Sequence, residues 1–179
     1  MMKMGWRRDL QDYREFQSTD KECEAEIYIK ELAYKKIVEK LKKYNKETGG
    51  ILIGYYSTSL RNVYINEFGD APEDSQSGFS YFIRGVKGLR NYLKTKWNLN
   101  NEYYLGEWHF HPANVKEPSA TDIFQMKIIS VDERFNCKEP ILIIFSKERE
   151  DIYNITIRLL LKSYFYDFIE IADEHDNKS

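Results

Sequence analysis

Apolar residues recur in regular patterns that predict strands and a helix in the first half of the chain. Residues 24–30, EAEIYIK, alternate apolar and polar side chains and predict a strand. In residues 31–45, apolar side chains return every three or four positions, which is typical of an amphipathic helix. Gly49 and Gly50 predict a break after this helix, and residues 51–56 predict a buried strand. Residues 62–69 predict its partner strand.

The second half of the chain predicts two helices and several apolar strands. Its elements, in order, are a polar loop at 70–78, a short strand at 79–85, a helix at 86–97, a buried strand at 103–112, a helix at 120–136, a strand at 140–146, and one or two closing strands at 151–161 and 162–171. Because helices and strands alternate, the pattern predicts a single α/β domain with a curved mixed β-sheet flanked by helices. We place this domain at residues 23–171.

The two ends of the chain are polar. Residues 1–22 predict an N-terminal arm or a short helix packed from outside, and residues 172–179 predict a frayed polar tail. The first residues carry positive charge, but no apolar stretch follows them, so they do not resemble a secretory signal.

Composition narrows the class of protein and its surroundings. The chain has 179 residues, a net charge of −2 and no apolar run near the roughly 20 residues of a membrane span. This charge gives no case for nucleic-acid binding, and we expect neither nucleic acid nor membrane as a partner. Cys23 and Cys137 lie far apart without metal-like spacing, which favours packing or surface roles and a cytoplasmic location.

Candidate chemistry is concentrated in GEWHFHPANVKEPSATD, residues 106–122. His109 and His111 alternate on the predicted strand, so their side chains share a face at a separation of roughly 7 Å. Ser119 and Asp122 then read as the start of a helix. Two imidazoles and a carboxylate are suitable ligands for a catalytic zinc ion that keeps one open position.

Ordinary structural roles compete with this interpretation. A His-x-His pair at a strand end is often structural, and Ser-x-x-Asp is a common capping signature that needs no metal. Glu47, between the first helix and its following strand, reads by itself as a surface-loop glutamate. Together, however, the two halves of the 106–122 segment favour a metal site.

The spacing resembles the JAMM motif of the JAB/MPN metalloproteases. Pro112 follows His111, six residues follow Pro112, and Ser119-x-x-Asp122 comes next, while Glu47 precedes the glycine-rich strand TGGILIG. The resemblance extends over about residues 25–145, and GEWHFHP is most similar to the bacterial branch. It implies a fold similar to that of the zinc deaminases, with Zn²⁺ held by His109, His111 and Asp122.

The same resemblance implies a reaction and its partners. Glu47 would act as general base and then acid, and Ser119 would stabilise the anionic carbonyl oxygen. The substrate would be an amide or isopeptide bond after the C-terminal tail of a ubiquitin-like protein or conjugate. Bacterial members occur beside E1-like and E2-like proteins in antiviral defence operons, which would be possible partners. A non-catalytic MPN scaffold and another zinc hydrolase on this fold, including a deaminase-like one, remain alternatives, although the chain lacks Pro-Cys-x-x-Cys.

Further residues are candidates for supporting roles. Glu107 shares the strand face of the two histidines, where well-known eukaryotic relatives carry tryptophan. We expect it to orient a ligand histidine from outside the ligand set, with a competing role as the base. Phe79, Phe82 and Arg84 are candidates for a substrate groove, although buried packing is the competing role of the two aromatic residues.

Overall fold

The computed structural model describes residues 12–59 and 61–171. In these residues the elements are β1 (Tyr13–Ser18), β2 (Glu26–Lys30), α1 (Glu31–Leu41), β3 (Thr48–Tyr56), β4 (Asn62–Phe68), β5 (Gln76–Ser77), β6 (Phe82–Ile83), α2 (Leu89–Asn100), β7 (Tyr103–His111), α3 (Ala120–Val131), β8 (Ile141–Arg149), β9 (Ile152–Leu161) and β10 (Tyr164–Glu170). No helix in these ranges is long and apolar enough to cross a membrane.

The eight longer strands form one mixed sheet that closes on itself. Their order is β1-β10-β9-β8-β7-β3-β4-β2, and β5 and β6 form a separate small hairpin. The pairs β2/β4 and β7/β8 are parallel, and the other neighbours in the barrel are antiparallel. The predicted single α/β domain with a curved mixed sheet is therefore confirmed, with the difference that the sheet is a closed barrel rather than an open one.

Strand β1 closes the barrel. It pairs with β2 on one side and β10 on the other, and Phe16 is 1% exposed in the core. Residues 13–18 therefore complete the sheet, whereas the sequence assigns them to an arm or an outside helix within 1–22. The physical reason is that β1 is completed by pairing with β10, a strand about 150 residues away in the sequence, as well as with the neighbouring β2. Residues 1–11 and the predicted tail at 172–179 lie outside the described residues.

Two apolar clusters cover the two faces of the sheet. The larger one joins Trp108, Phe110 and Phe145 to the buried face of α1. The smaller one packs the other face, including Ile144, against Met126 of α3 and partly buried residues of α2. Since neighbouring residues of a strand point to opposite faces, Trp108 and Phe110 fix the direction in which Glu107, His109 and His111 point.

Some element boundaries differ from their predictions. Helix α1 ends at Leu41 instead of residue 45, α2 begins at Leu89 instead of residue 86, and α3 ends at Val131 instead of residue 136. Gly49 lies inside β3 rather than in a break, because it pairs with His109 of β7. The position needs glycine, since a Cβ there would lie 2.5 Å from the Trp108 carbonyl oxygen and 2.6 Å from the Phe82 ring.

Candidate functional site

Strand β7 presents Glu107, His109 and His111 on one face. All three are buried, at 2%, 5% and 6% exposure. Trp108, on the opposite face, donates its indole N–H to the Gly69 carbonyl oxygen at 2.8 Å and holds the strand in place. The strand that the sequence predicts at residues 103–112 is therefore present, and it carries its histidines as the alternation requires.

Helix α3 begins at the predicted position with a complete capping box. The backbone N–H of Asp122 donates to Ser119 Oγ at 3.1 Å, and the backbone N–H of Ser119 donates to Asp122 Oδ2 at 2.7 Å. Ser119 Oγ also donates to Asp122 Oδ2 at 2.8 Å. The serine is exposed while the aspartate is buried. The capping role weighed in the sequence is therefore real, and it leaves Asp122 Oδ1 free for a second partner.

That second partner is His109, whose Nδ1 lies 2.8 Å from Asp122 Oδ1. The other ring nitrogen, Nε2, faces Glu107 Oε2 at 3.4 Å. Burial by itself lowers the pKa of His109, but the hydrogen bonds to Asp122 and Glu107 outweigh it and raise this pKa to about 9. Burial likewise raises the pKa of Asp122, and the bonds from His109 and Ser119 outweigh it, so this pKa falls to about 2.

His111 is held in one orientation by the backbone. Its Nδ1 lies 2.9 Å from the Val115 carbonyl oxygen, an atom that can only accept, so Nδ1 carries the proton. In the neutral ring, Nε2 then offers a lone pair, which is the form that binds a metal.

Ser146 is a site residue that the sequence reasoning missed. It pairs with His111 in the register of β7 and β8, it is 1% exposed, and its Oγ has no hydrogen-bond partner among the described residues. A polar residue at the end of the apolar run PILIIFS is the signal that could have found it. Burying a hydroxyl without a hydrogen-bond partner costs about 1–3 kcal/mol. The position of Ser146 beside His111 therefore fits a hydroxyl that would hydrogen-bond to a group bound at the site.

Glu47 lies directly before β3 and close to the histidines. β3 is the neighbour of β7, with Gly49 opposite His109, and the Glu47 backbone N–H donates to the Gly78 carbonyl oxygen at 2.9 Å. Burial is the largest effect on the pKa of Glu47 and raises it, while the charges of His111, Asp122 and His109 also act on this carboxylate. The structure thus brings Glu47 to the same site as the residues of the 106–122 segment.

Both carboxylate oxygens of Glu107 have partners. Arg84 Nε donates to Oε1 at 2.6 Å, and the Tyr104 hydroxyl donates to the same oxygen at 3.3 Å. Oε2 faces His109, as described above. Burial raises the pKa of Glu107, but the interactions with His109 and Arg84 outweigh it and lower this pKa. A buried, fully engaged carboxylate favours the orienting role over the role of a mobile base.

Of the three predicted groove residues, Phe79 lies on the surface, whereas Phe82 and Arg84 contact residues of the candidate site. Phe79 is 77% exposed and lies on the surface. Phe82 packs edge-on against the His109 ring, with centroids 5.4 Å apart and planes at 75°. The Arg84 side chain is 7% exposed and turns inward to Glu107, so it is withdrawn from the surface where the sequence places it. Burial of Glu107 explains this, because a buried carboxylate needs a cation.

The donor set suits zinc, although its side chains make direct contacts with one another in this structure. No three His, Cys, Asp or Glu side chains within residues 12–59 and 61–171 converge in a ready metal-binding arrangement. His109 and Asp122 are instead bonded to each other. A metal ion would replace the proton between these two groups, as metal binding to histidine commonly does. The contact of His111 Nδ1 with the Val115 carbonyl oxygen, which leaves Nε2 available, and the Ser146 hydroxyl without a partner among the described residues support the fit.

Comparisons with known proteins found a family model and a named relative that match this chain. The family model described as prokaryotic homologs of the JAB domain matches residues 30–158. A relative from Enterobacter hormaechei subsp. hoffmannii (strain UCI 50), named CD-NTase/cGAS isopeptidase, is 41% identical over 120 residues, which are 67% of this chain. These residues span 66% of the relative, slightly less than two thirds of its length.

A solved structure shares the fold. The solution structure of protein DSY2949 from Desulfitobacterium hafniense aligns with a TM-score of 0.56 and 18% identity. The alignment covers 81% of this chain and 89% of that one. At this identity the likeness concerns the fold alone.

Proposed function

The chain belongs to the family of prokaryotic JAB-domain homologs, and on that premise we propose that it is a zinc-dependent isopeptidase. The observation that carries the proposal is the contact of His109 on β7 with Asp122 at the start of α3, at 2.8 Å, beside Glu47. His111 lies on the same strand face, so His109, His111 and Asp122 would hold the ion.

The relative's name and the resemblance of the motif support a proposal about the substrate. The relative is named CD-NTase/cGAS isopeptidase. We infer that this chain hydrolyses the amide bond after the C-terminal tail of a ubiquitin-like protein or its conjugate, in a bacterial antiviral system with E1-like and E2-like proteins. Since the match spans 66% of the relative, both substrate and partners are part of the proposal.

In the proposed hydrolysis, Glu47 is the residue that would move the proton. Zinc, when bound, supplies a Lewis acid that polarises the scissile carbonyl and makes water more acidic. Glu47 takes a proton from the attacking water as the water oxygen bonds to the carbonyl carbon. When the carbon–nitrogen bond breaks, Glu47 delivers that proton to the leaving amine. A pKa raised by burial makes this carboxylate a better base than an exposed one.

Ser119 would stabilise the carbonyl oxygen as it becomes anionic. Its hydroxyl donates to Asp122 Oδ2 and is exposed at the helix start. The Ser119 backbone N–H donates to the same oxygen at 2.7 Å, so Asp122 Oδ2 keeps a donor when the hydroxyl turns to the substrate. The hydroxyl can therefore serve the helix cap and the reaction at different moments.

The test is cleavage of defined substrates by the zinc-loaded protein. The substrates are folded ubiquitin-like proteins joined through their tails either to a lysine side chain or to the N-terminus of a second protein. We expect release of the free tail, loss of cleavage with a zinc chelator and recovery with added zinc. Cleavage that persists in the chelator would contradict the zinc mechanism. Stoichiometric zinc without cleavage of any conjugate, including conjugates made by E1-like and E2-like proteins, would favour the scaffold.

A further inference from the structure

The hairpin formed by β5 and β6, residues 76–83, is fastened at its base to the segment that follows it. Ser75 Oγ accepts the backbone N–H of Gly85 at 2.9 Å. The Asp74 carboxylate accepts the backbone N–H groups of Val86 and Lys87 at 3.1 and 2.9 Å. Residues 74–75 before the hairpin are therefore bonded to residues 85–87 after it. Arg84 lies between the hairpin and these bonds.

Arg84 is buried together with its partner. Its Nε donates to Glu107 Oε1 at 2.6 Å, and its Nη1 donates to the Gly85 carbonyl oxygen at 2.9 Å. The Arg84 and Glu107 side chains are 7% and 2% exposed. Loss of the guanidinium would leave a buried carboxylate without a cation, which is among the more disruptive changes in a protein interior.

The hairpin touches both halves of the candidate site. Through Arg84 it holds Glu107, whose second oxygen faces His109 Nε2 at 3.4 Å. The Phe82 ring packs on the same imidazole. The Gly78 carbonyl oxygen accepts the backbone N–H of Glu47. One short element therefore contacts the residues proposed as metal ligand and as base.

We propose that Arg84 is a positioning residue that links the β5–β6 hairpin to the His109 imidazole through Glu107. Its guanidinium fixes one oxygen of Glu107, and the other oxygen then sets the rotation of the ring. Displacement of the hairpin would remove the Arg84 contact of Glu107 and the Phe82 contact of His109 together, while Asp122 would still bond the ring. In its zinc-dependent consequences this inference rests on the proposed function, whereas the orientation of the ring belongs to the metal-free protein as well.

The first experiment compares Arg84→Gln with Arg90→Gln, a matched removal of an exposed arginine on α2. Zinc affinity is measured by competition with a chelator, and kcat and KM are measured on a cleaved conjugate. We expect Arg84→Gln to lower zinc affinity and kcat by roughly 10- to 100-fold, as loss of a group that orients a ligand commonly does. Arg84→Lys, which keeps a cation without the planar fork, should recover part of this loss. Arg90→Gln should match wild type.

The second experiment uses the metal-free protein and so stands apart from the proposed function. Nitrogen-15 spectra of the imidazoles report which ring nitrogen is protonated and hydrogen-bonded. We expect Arg84→Gln to shift the His109 signals, leave His111 unchanged because Val115 holds it, and speed amide exchange in residues 76–83. Arg84→Lys, which keeps a cation beside Glu107, covers the case in which Arg84→Gln fails to fold and should show a smaller shift of the same His109 signals.

Two results would overturn the inference. One is an Arg84→Gln protein with wild-type His109 signals and a changed KM alone, which would return Arg84 to a substrate-contacting role. The other is equal loss in Arg84→Gln and Arg90→Gln, which would mean a general charge effect. If wild type binds no zinc yet the His109 signals move as expected, the proposed function fails and the positioning role stands.

Discussion

At the scale of single residues, the His109 imidazole is held from three sides. Asp122 accepts from Nδ1, Glu107 faces Nε2, and Phe82 covers an edge of the ring. The spacing of His109 and Asp122 within the segment 106–122 predicts that the two side chains lie close together. It does not predict the inward turn of Arg84, because that depends on Glu107, which lies 23 positions away in the sequence.

Glu47→Gln tests the proposed base. We expect kcat for conjugate cleavage to fall by roughly 10²–10⁴-fold, because an amide cannot accept the proton of water. Zinc content should stay at the wild-type level, since Glu47 is not a proposed ligand. Steady-state kinetics and metal analysis of the same sample measure both. An active Glu47→Gln protein together with an inactive Glu107→Gln protein would reverse the assignment of the base.

Ser119→Ala separates the two roles of this hydroxyl. Loss of the cap to the Asp122 N–H should lower the free energy of unfolding by about 1 kcal/mol. Loss of a donor to the anionic oxygen should lower kcat by roughly 10²–10³-fold with zinc retained. Chemical denaturation and kinetics measure the two effects. Loss of zinc in this variant would instead make the serine a structural support of Asp122.

At the scale of elements, local signals account for what the sequence predicts well. A run of apolar and aromatic residues that ends at Pro112 defines β7, and the Ser119-x-x-Asp122 capping box defines the start of α3. β1 lacks such a signal, because its stability comes from pairing with β2 and β10. Gly49 lies in a strand because it pairs with β7, and it is a glycine because Phe82 and β7 approach it closely. The local conformational preference of glycine predicts neither contact.

Phe16→Ala tests whether β1 belongs to the barrel. Phe16 is 1% exposed in the larger cluster, so its truncation should lower the free energy of unfolding by about 3–5 kcal/mol. Gln17→Ala, its exposed neighbour on the same strand, should change it by no more than about 0.5 kcal/mol. Urea denaturation compares the two variants. Equal stabilities would mean that residues 13–18 contribute as an arm.

Gly49→Ala tests the packing between β3 and the hairpin. The new methyl group would meet the Trp108 carbonyl oxygen and the Phe82 ring, so we expect a loss of about 1–3 kcal/mol in stability together with lower activity. Gly88→Ala is the control, because its positive φ of 79° costs roughly 1–2 kcal/mol without a nearby atom. Denaturation and cleavage assays should show comparable stability losses but reduced activity in Gly49→Ala alone.

At the scale of the whole molecule, the barrel brings segments that are distant in sequence together, both where it closes and at the candidate site. Phe16 pairs with Glu170 across the closing strands, and β3, β7, α3 and the β5–β6 hairpin meet at the histidines. Hydrophobic periodicity predicts the strands and their class. It does not predict closure, because closure depends on which edges meet, and the chain pattern does not encode that directly.

The two thiols report on the integrity of the folded molecule. Cys23 and Cys137 are buried, and burial raises the pKa of Cys137 to about 12. At pH 8 the thiolate fraction of Cys137 is therefore far below that of an ordinary cysteine. A thiol reagent should label Cys137 slowly in the native protein and rapidly in denaturant. Fast native labelling of Cys137 would contradict the packing described for the smaller cluster.

The central claim is that His109, His111 and Asp122 hold the zinc ion on which the proposed cleavage depends. Anomalous diffraction at the zinc absorption edge, on crystals of the wild-type protein grown with zinc, tests it most directly. We predict one strong peak bonded to these three side chains, with the direct His109–Asp122 hydrogen bond replaced. Crystals that keep this hydrogen bond and show no peak beside it, with zinc in excess, would contradict the account.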